Sequence, residues 1–439
     1  MARRPTNPPL RVYLNSRPVG QLTRDPGGEI AFRYDDGWLA LANAIPVSLS
    51  LPLREDTYRG APVAAVFENL LPDADVVRRR VAERVGARGT DAYSLLAKIG
   101  HDCVGAMQFI AGDDDRPDDD QISGEVVCDL EIEKILQNLV QAPLGLARDD
   151  DFRISVAGVQ EKTALLRHDG AWLKPHGTTP TTHILKTQIG VLPNGIDLQN
   201  SVETEFYCLK LAQAFGLPVA VAEISTFGET KALVVERFDR RLARDGRLLR
   251  LPQEDCCQAL SIPPTQKYQD QGGPGIVQVL DLLKASDTPL EDQETFLAAQ
   301  LLFWVIGATD GHAKNFSLSL RPAGAFRLTP LYDIVSVQPS LDRHEITRRQ
   351  MRLAMSVGDN RHSRVDQIHP RHFLQTVARA GVADQLMLKV LDRIAGRADR
   401  AFQLLEAELP ADFPEWIHAS IKEAALTRIQ TIERHLARA

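Results

Sequence analysis

The feature that most constrains this chain is an apolar run that ends abruptly at a glycine. Phe303-Trp304-Val305-Ile306 precedes Gly307, and mostly small or polar residues follow until Phe316. Because glycine just past an apolar segment is a common helix stop, the pattern predicts a buried helix that leads into a tight loop. Phe316 then predicts the return of the chain to the core.

This loop contains a carboxylate and an amide at a spacing that phosphoryl-transfer enzymes use. Asp310 and Asn315 match the Asp and the Asn of the kinase pattern H-R-D-x-x-x-x-N, which accept the proton of the attacking hydroxyl and hold magnesium. Asp333, in Leu331-Tyr332-Asp333-Ile334, is a second acid after an apolar segment, where the DFG Asp would hold metal. Asp, Gly and Asn are also common turn residues, so an ordinary turn is the alternative.

The overall composition excludes some classes of protein. At 439 residues the chain predicts two or three domains, and 44% apolar with 25% charged residues is ordinary for a globular protein. A net charge of −7 argues against nucleic-acid affinity of the whole protein but leaves a local basic face open. The five cysteines form no C-x-x-C pair, which predicts small buried apolar groups in a reducing compartment. With no signal-peptide core and no membrane-length apolar run, we expect a cytoplasmic protein without a membrane partner.

The segment 1–145 is predicted to be an α+β subdomain without chemistry of its own. Short strands are expected between residues 10 and 50, followed by a helical stretch, Ala64 to Val85, interrupted at Leu70-Leu71-Pro72-Asp73. Arg78-Arg79-Arg80 is expected on a solvated helix face, and the acidic stretch Gly112 to Gln121 is expected to be an exposed loop.

The segment 146–240 is predicted to be a small lobe rich in strands. Arg153 to Leu166 indicates two strands joined by a small-residue turn, whose backbone N–H groups could contact phosphate, although an ordinary hairpin fits as well. Lys186 ends the apolar strand that starts at His183, as the phosphate-pairing lysine of a kinase does, with a snorkelling edge lysine as the alternative. A helix from Ser201 to Phe215 carries Glu203 and Glu205, candidates to anchor that lysine.

The segment 241–439 is predicted to be mostly helical. One helix is expected to begin at Gln253, and separate helices are expected at Ala383–Arg393 and Ala398–Leu405. An arginine-rich stretch follows Asp333 and predicts either a patch that follows phosphates or a solvated surface. Its members are Arg343, Arg348, Arg349, Arg352, Arg361 and Arg364.

Taken in order, the motifs of this chain resemble those of the HipA serine/threonine kinase toxins of bacterial toxin–antitoxin pairs. The resemblance runs from Leu10 to about Pro414. It rests on Phe67 to Asp73, Ile99 to Gly105, Arg153 to Leu166, Val235 to Arg240, Leu251 to Asp255, Gly272 to Gly275, Ile306 to Phe316 and Leu328 to Ile334.

The resemblance implies an α+β, two-lobed protein-kinase-like fold and a role for each residue of the site. Asp310 would be the catalytic base, Asn315 and Asp333 the magnesium ligands, and Lys186 the lysine that pairs with the phosphates. Ser155 would be autophosphorylated, which would inactivate the enzyme. The remaining nucleotide-binding residues would be Val156, Ala157, Gly158, Val159, Gln160 and Glu161 of the phosphate loop, Glu236, Arg237 and Phe238 of the hinge, and Gln253, His312 and Lys314.

The resemblance also implies ATP and Mg²⁺ as cofactors, and partners of three kinds. These are a HipB-like helix-turn-helix antitoxin, operator DNA bound through the toxin–antitoxin complex, and a protein substrate, either a translation factor or an aminoacyl-tRNA synthetase. Thr309 stands where H-R-D has Arg, and Ile334 replaces the Phe of DFG, so regulation by an activation loop is not expected. A small-molecule or lipid kinase of the same fold and a non-catalytic co-repressor remain the alternatives.

Overall fold

The computed structural model describes residues 7–111, 121–146, 153–156, 160–192 and 195–438, and the chain forms two compact units. The first comprises Met1–Thr187, Ser225–Thr265 and Leu318–Phe326. The second comprises Gln188–Ile224, Gln266–Ser317 and Arg327–Ala439. Helices and antiparallel sheets both occur, so the fold is α+β.

The first sheet of the first unit is built on the largely buried strand Leu10–Leu14. In the strand Leu10–Leu14, Leu10 and Val12 are fully buried while Arg11 is exposed, because successive side chains of a strand point to opposite faces. The order of its antiparallel strands is Tyr58–Arg59, Ile30–Tyr34, Arg17–Arg24, Leu10–Leu14 and Met107–Ala111. The helices of this region are Asp36–Leu39, Ala61–Glu68, Asp75–Val85 and Ala92–Ile99.

The second sheet of the first unit carries the candidate lysine. Five of its strands follow the order Thr230–Glu236, His183–Thr187, Lys162–His168, Ala171–Pro175 and Gly124–Val126. The helix Asp129–Gln137 packs on this sheet through Ile132 and Leu136. Short elements complete the unit: strands Arg240–Leu242, Leu248–Arg250 and Gln253–Asp255, and the helix Cys256–Ala259. The strands Ala222–Phe227, Ser317–Leu320 and Phe326–Leu328 each contain a boundary between the units.

The second unit is mainly helical and is built around one buried helix. Its helices are Ser201–Ala214, Ile276–Leu283, Pro289–Ile306, Gln338–Asp342, Pro370–Arg379, Asp384–Glu408 and Glu415–Leu436. Its strands are Gly190–Val191, Asp197–Leu198, Arg352–Val357 and His362–Arg364. Pro289–Ile306 is buried on almost every side over its last three turns, and Trp304 donates to the carbonyl of Val365 at 3.1 Å. A helix that is apolar all round belongs in a core, and this one delivers the candidate catalytic loop.

Among the described residues, no helix is both long enough and apolar enough to cross a membrane.

Several local predictions are confirmed. The buried helix ends at Ile306 with Gly307 in the left-handed conformation, and the helix Ser201–Ala214 ends one residue before Phe215.

Other local predictions are wrong. Arg78 is buried rather than solvated, since its guanidinium bonds to the carboxylate of Glu68 and to the carbonyl of Pro72. Gln253 lies in a strand rather than at a helix start. Asp384–Glu408 is one continuous helix instead of two. Cys128 is exposed at a helix N-terminus, although the other four cysteines are buried.

Candidate active site

The loop after the buried helix is fixed at its first residue. Gly307 has φ 71°, a left-handed conformation that favours glycine, and a Cβ there would lie 2.2 Å from Cε of Met351, so a larger residue would also displace that side chain. The carbonyl of Gly307 accepts from the N–H of Val337 at 3.0 Å, and the carbonyl of Ile306 accepts from Oγ of Ser336 at 2.6 Å. One neighbouring segment therefore satisfies the carbonyls of Ile306 and Gly307 at the helix end.

The loop is also pressed against aromatic rings of the core. A Cβ at Gly311 would lie 2.4 Å from Cδ2 of Phe303, so the missing side chain of glycine leaves room for this ring. The ring of Phe316 lies 4.8 Å from that of Phe296 and 5.9 Å from that of Phe303. Phe316 therefore packs the C-terminal end of the polar loop against the core, which explains why an apolar residue stands at this position.

Asp310 is an exposed carboxylate on a rigid backbone. Its side chain is 52% exposed, while its carbonyl accepts from Nδ2 of Asn315 and from the N–H of His312, each at 2.8 Å. One carboxylate oxygen, Oδ1, accepts from the hydroxyl of Tyr268 at 2.6 Å. The structure therefore brings Asp310 and Asn315 into direct contact, with the acid facing outward.

His312 is buried beside this acid and is neutral near neutral pH. Burial lowers the pKa of His312, and the ammonium of Lys267 adds to the shift, while Asp310 and Asp333 oppose it. Nε2 lies 4.0 Å from Oδ1 of Asp310, and the buried Nδ1 has no hydrogen-bond partner among the described residues. A buried polar atom left in this way is costly unless a ligand or water uses it.

The segment that contains Asp333 is joined to the loop through a tyrosine. The hydroxyl of Tyr332 donates to the carbonyl of Lys314 at 2.9 Å and lies 2.6 Å from Oγ of Ser317. Asp333 itself has φ 57°, a left-handed conformation that is strained for residues other than glycine. Such strain is often found at functional sites, and here it lies at the residue predicted to take the place of the DFG Asp.

The candidate lysine of the first unit lies on a buried strand and is not a snorkelling edge residue. Lys186 is 7% exposed, in the strand between Lys162–His168 and Thr230–Glu236. Lys162 lies directly opposite Lys186 in the antiparallel pair and is 6% exposed, so the two side chains share one face of the sheet. Lys162 was missed at the level of sequence, although it follows the predicted phosphate loop immediately.

The segment around the predicted phosphate loop is held from both ends. Ala157, Gly158 and Val159 lie outside the described residues. On one side, Ser155 is fully buried, with its Oγ donating to the carbonyl of Leu70 and its N–H to the carbonyl of Asp102, at 2.7 and 2.9 Å. Val156 is buried next to it.

On the other side of that loop, two side chains have partners. Nε2 of Gln160 donates to the carbonyl of Thr187 at 2.7 Å. Glu161 lies 3.5 Å from the guanidinium of Arg80; burial raises the pKa of Glu161, and Arg80 opposes that shift. The side chain of Glu161 thus forms an ion pair with Arg80.

The predicted hinge contains a buried cluster of charged side chains, so it is not simply an exposed polar segment after a strand. Arg237 pairs with Asp102 and Asp239 at 3.2 and 2.8 Å, and its N–H donates to the carbonyl of Thr182 at 2.8 Å. Glu236 is exposed and Phe238 is half-buried. The side chain of Arg237 is therefore unavailable to a nucleotide.

Gln253, Glu203 and Glu205 are all buried. Oε1 of Gln253 is a buried acceptor with no hydrogen-bond partner among the described residues. Glu203 accepts from Nε2 of Gln188 at 2.7 Å within the second unit. Whether either acid anchors Lys186 stays a prediction.

Part of the arginine-rich stretch is neutralised by acids. Arg343 pairs with Asp197 at 2.8 Å and Glu345 at 2.9 Å, and Arg364 pairs with Asp366 at 2.6 Å. For these two arginines the structure favours a solvated surface of ion pairs.

The sequence matches two family descriptions that together cover most of the chain. Residues 154–402 match the HipA-like C-terminal domain, and residues 10–110 match the HipA N-terminal domain. A protein of Sinorhizobium fredii named "Putative kinase Y4mE" is 36% identical over 331 residues, 74% of this chain and 77% of that protein. The serine/threonine-protein kinase toxin HipA of Shewanella oneidensis is 28% identical over 416 residues, 91% of this chain and 90% of that protein.

A solved structure shares the fold over nearly the whole chain. It is the complex of HipA, HipB and operator DNA from the toxin–antitoxin system of Shewanella oneidensis. The match has a TM-score of 0.80 at 25% identity and covers 98% of this chain and 99% of the other. The expected α+β kinase fold is confirmed.

Proposed function

Since this chain belongs to the HipA family of serine/threonine-protein kinases, we propose that it is the toxin of a toxin–antitoxin pair. In this proposal it transfers the γ-phosphoryl group of ATP to a serine or threonine hydroxyl of a protein. The observation that carries the proposal is the exposed carboxylate of Asp310 on a loop held rigid by Asn315 and by the core. A base that must meet a hydroxyl of another protein needs both exposure and a fixed position.

Asp310 is the proposed catalytic base. Its side chain is 52% exposed and can meet a substrate hydroxyl, while the two bonds to its carbonyl hold the loop in place. Phosphoryl transfer requires positioning and electrostatic stabilisation rather than covalent catalysis by the protein. The fixed loop that carries Asp310 would supply the positioning.

The oxygen donors of the second unit fit Mg²⁺. Asp333 offers a carboxylate and Asn315 an amide oxygen, since Nδ2 of Asn315 is used by the carbonyl of Asp310. The described residues contain no cluster of three or more His, Cys, Asp or Glu side chains arranged to hold a metal. Mg²⁺ usually binds one or two protein side chains together with phosphate oxygens, so two protein ligands would be enough. When bound, the ion would neutralise charge on the phosphates.

Two buried polar atoms and two lysines are the proposed partners of the nucleotide. The neutral His312 has an unpartnered Nδ1, and Gln253 has an unpartnered Oε1 that could accept from an N–H or O–H of the nucleotide. Lys186 and Lys162 share one face of a strand pair, which suits a polyanion such as triphosphate. At the hinge we propose that only backbone groups of Glu236 and Phe238 take the adenine, because Arg237 is committed to Asp102.

Ser155 is the proposed site of self-inactivation. Its hydroxyl is buried against Leu70, so it cannot be phosphorylated unless the segment around it leaves this position. Once phosphorylated, the charged group could not return to the same buried position, which would keep the phosphate loop away from ATP. Ser155→Ala should therefore lose the self-inactivation and not the activity.

We propose a HipB-like antitoxin as the neutralising partner, and operator DNA as a partner through that complex. The solved complex of HipA, HipB and operator DNA supports this by its similarity. The substrate is proposed, on the same family grounds, to be a translation factor or an aminoacyl-tRNA synthetase.

Expression in bacterial cells separates this proposal from a non-catalytic co-repressor. Wild-type protein should arrest growth, and Asp310→Asn, which keeps the shape but not the base, should not. If Asp310→Asn arrested growth as wild type does, the binding-only alternative would stand.

Labelled ATP distinguishes the proposed protein kinase from a small-molecule or lipid kinase. Wild-type protein with Mg²⁺ and cell lysate should label at least one protein band, and Asp310→Asn should label it far more slowly. Label found only in lipid or small metabolites would contradict a protein kinase.

A further inference from the structure

A tyrosine from a distant segment contacts the proposed base directly. The hydroxyl of Tyr268 lies 2.6 Å from Oδ1 of Asp310. An ionised carboxylate can only accept hydrogen bonds, so the tyrosine is the donor. No described residue donates to the other oxygen, Oδ2, and the side chain of Asp310 is 52% exposed. The two oxygens of one carboxylate therefore have different environments.

The tyrosine is held in place from several sides. Its ring packs edge-on against the buried ring of His312, with centroids 4.8 Å apart, and the ammonium of Lys267 lies 5.4 Å from the ring centre. Its carbonyl accepts from the N–H of Gly273 at 2.9 Å and of Gln271 at 3.0 Å.

The residue that follows is anchored too. Oε1 of Gln269 accepts from the N–H of Ser356 at 2.7 Å and from its Oγ at 2.9 Å. A Cβ at Gly273 would lie 2.1 Å from the carbonyl oxygen of Gln266, so the loop is closed tightly on itself. The hydroxyl is thus presented from a rigid turn.

This rigidity matters because an exposed aspartate is otherwise free to turn. The terminal torsion of Asp has broad wells, so an unrestrained carboxylate would present either oxygen in many orientations. A hydrogen bond that fixes Oδ1 also fixes the direction of the lone pairs on Oδ2. Proton transfer depends on that direction, since the reacting atoms must be aligned before the reaction.

We propose that Tyr268 is a positioning residue that holds Oδ1 of Asp310 so that Oδ2 receives the proton of the substrate. The inference rests on the proposed kinase function. In the step, the substrate O–H bond breaks and its proton passes to Oδ2. The substrate oxygen forms a bond to the γ-phosphorus of ATP, and the bond from that phosphorus to the bridging oxygen breaks. ADP leaves with the electron pair.

Tyr268→Phe tests the hydroxyl alone, because the ring that packs on His312 is kept. Initial rates are measured with labelled ATP, Mg²⁺ and casein as acceptor, alongside labelling of the chain itself, and ATP affinity is measured by calorimetry. We expect kcat to fall about tenfold with the affinity for ATP unchanged, since one hydrogen bond to a charged group is lost. Tyr58→Phe, which removes a hydroxyl bonded to the carbonyl of Pro52, is the matched control and should keep the wild-type rate.

A double-mutant cycle with Asp310→Asn distinguishes positioning from a structural role. Because Tyr268 acts only through Asp310, Tyr268→Phe should cause no further loss in the Asp310→Asn background. The inference is overturned if Tyr268→Phe keeps the wild-type kcat, raises it, alters only the affinity for ATP, or lowers the residual rate of Asp310→Asn as well. If wild type labels neither casein nor itself while binding no ATP, the proposed function fails, and the inference fails with it.

Discussion

The buried charge cluster at the predicted hinge gives the sharpest prediction on stability. Asp102 accepts from three guanidinium groups, those of Arg237 at 3.2 Å, Arg240 at 2.8 Å and Arg250 at 3.1 Å. Asp239 is the second acid of the cluster, and all five side chains are at most 4% exposed. Asp102→Asn keeps the shape but leaves three buried cations with a single acid.

The cost follows from what remains after the change. Breaking a buried ion pair by removing one partner costs about 3–5 kcal/mol, because the other charge stays buried without compensation. Asp102 also accepts from the N–H and Oγ1 of Thr181, at 3.0 and 2.7 Å, and an amide can replace only part of this set. We therefore expect a loss of about 3–5 kcal/mol in the free energy of unfolding, a large part of the total for an ordinary domain.

The assay is urea denaturation followed by circular dichroism, with wild type and variant compared by their midpoints. Asp245→Asn is the control, since Asp245 pairs with Arg247 at 2.8 Å on the surface, where solvent screens the pair, and its urea midpoint should stay at the wild-type value. A loss under about 1 kcal/mol for Asp102→Asn would show that the cluster does not hold the first unit together.

The same cluster predicts a response to acid. Burial alone would raise the pKa of Asp102, but Arg240, Arg237 and Arg250 outweigh it and the pKa is lowered overall. A carboxyl whose pKa is depressed by folding contributes stability above its ordinary range, and this is lost as the pH falls. Wild type should therefore lose stability in acid more steeply than Asp102→Asn does.

Two further predictions concern single residues. Burial raises the pKa of Glu254 to about 8, while hydrogen bonds from the N–H of Leu49 and from the hydroxyl of Ser48 oppose the shift. A carboxyl whose pKa is raised by folding contributes its full stability below its ordinary pKa, and this stability is lost as the pH rises towards 8. Urea midpoints at pH 6 and pH 9 should differ less in Glu254→Gln than in wild type, and equal differences would contradict this. Gly311→Ala should lower the free energy of unfolding by about 1–3 kcal/mol, measured by thermal denaturation, because the added methyl group meets Phe303. Gly396→Ala, where the added methyl group meets open space, is the control and should not lower it. Equal effects of the two changes would refute the steric argument.

The candidate site could be predicted from sequence where its chemistry is local. Asp310 and Asn315 are five residues apart, and their contact follows from one tight loop after a glycine stop. The strand that carries Lys186 is predicted from the short apolar run before that lysine. Such features depend on neighbours along the chain, which the sequence displays directly.

The rest depends on partners that are far apart along the chain. Tyr268 lies forty-two residues before Asp310, and Arg237 lies one hundred and thirty-five residues after Asp102. No local pattern distinguishes a tyrosine that contacts the proposed base from one in a surface turn. Arg78 was assigned to a solvated face for the same reason, since its partner Glu68 lies across a helix break.

Intact-mass spectrometry after incubation with ATP and Mg²⁺ is the most direct test of the account, with Asp310→Asn treated in parallel. Wild type should gain at least one phosphoryl group, located on Ser155 by peptide mapping, and Asp310→Asn should gain none. Equal phosphorylation of both proteins, or none on wild type despite bound ATP, would contradict a phosphoryl-transfer site built on Asp310.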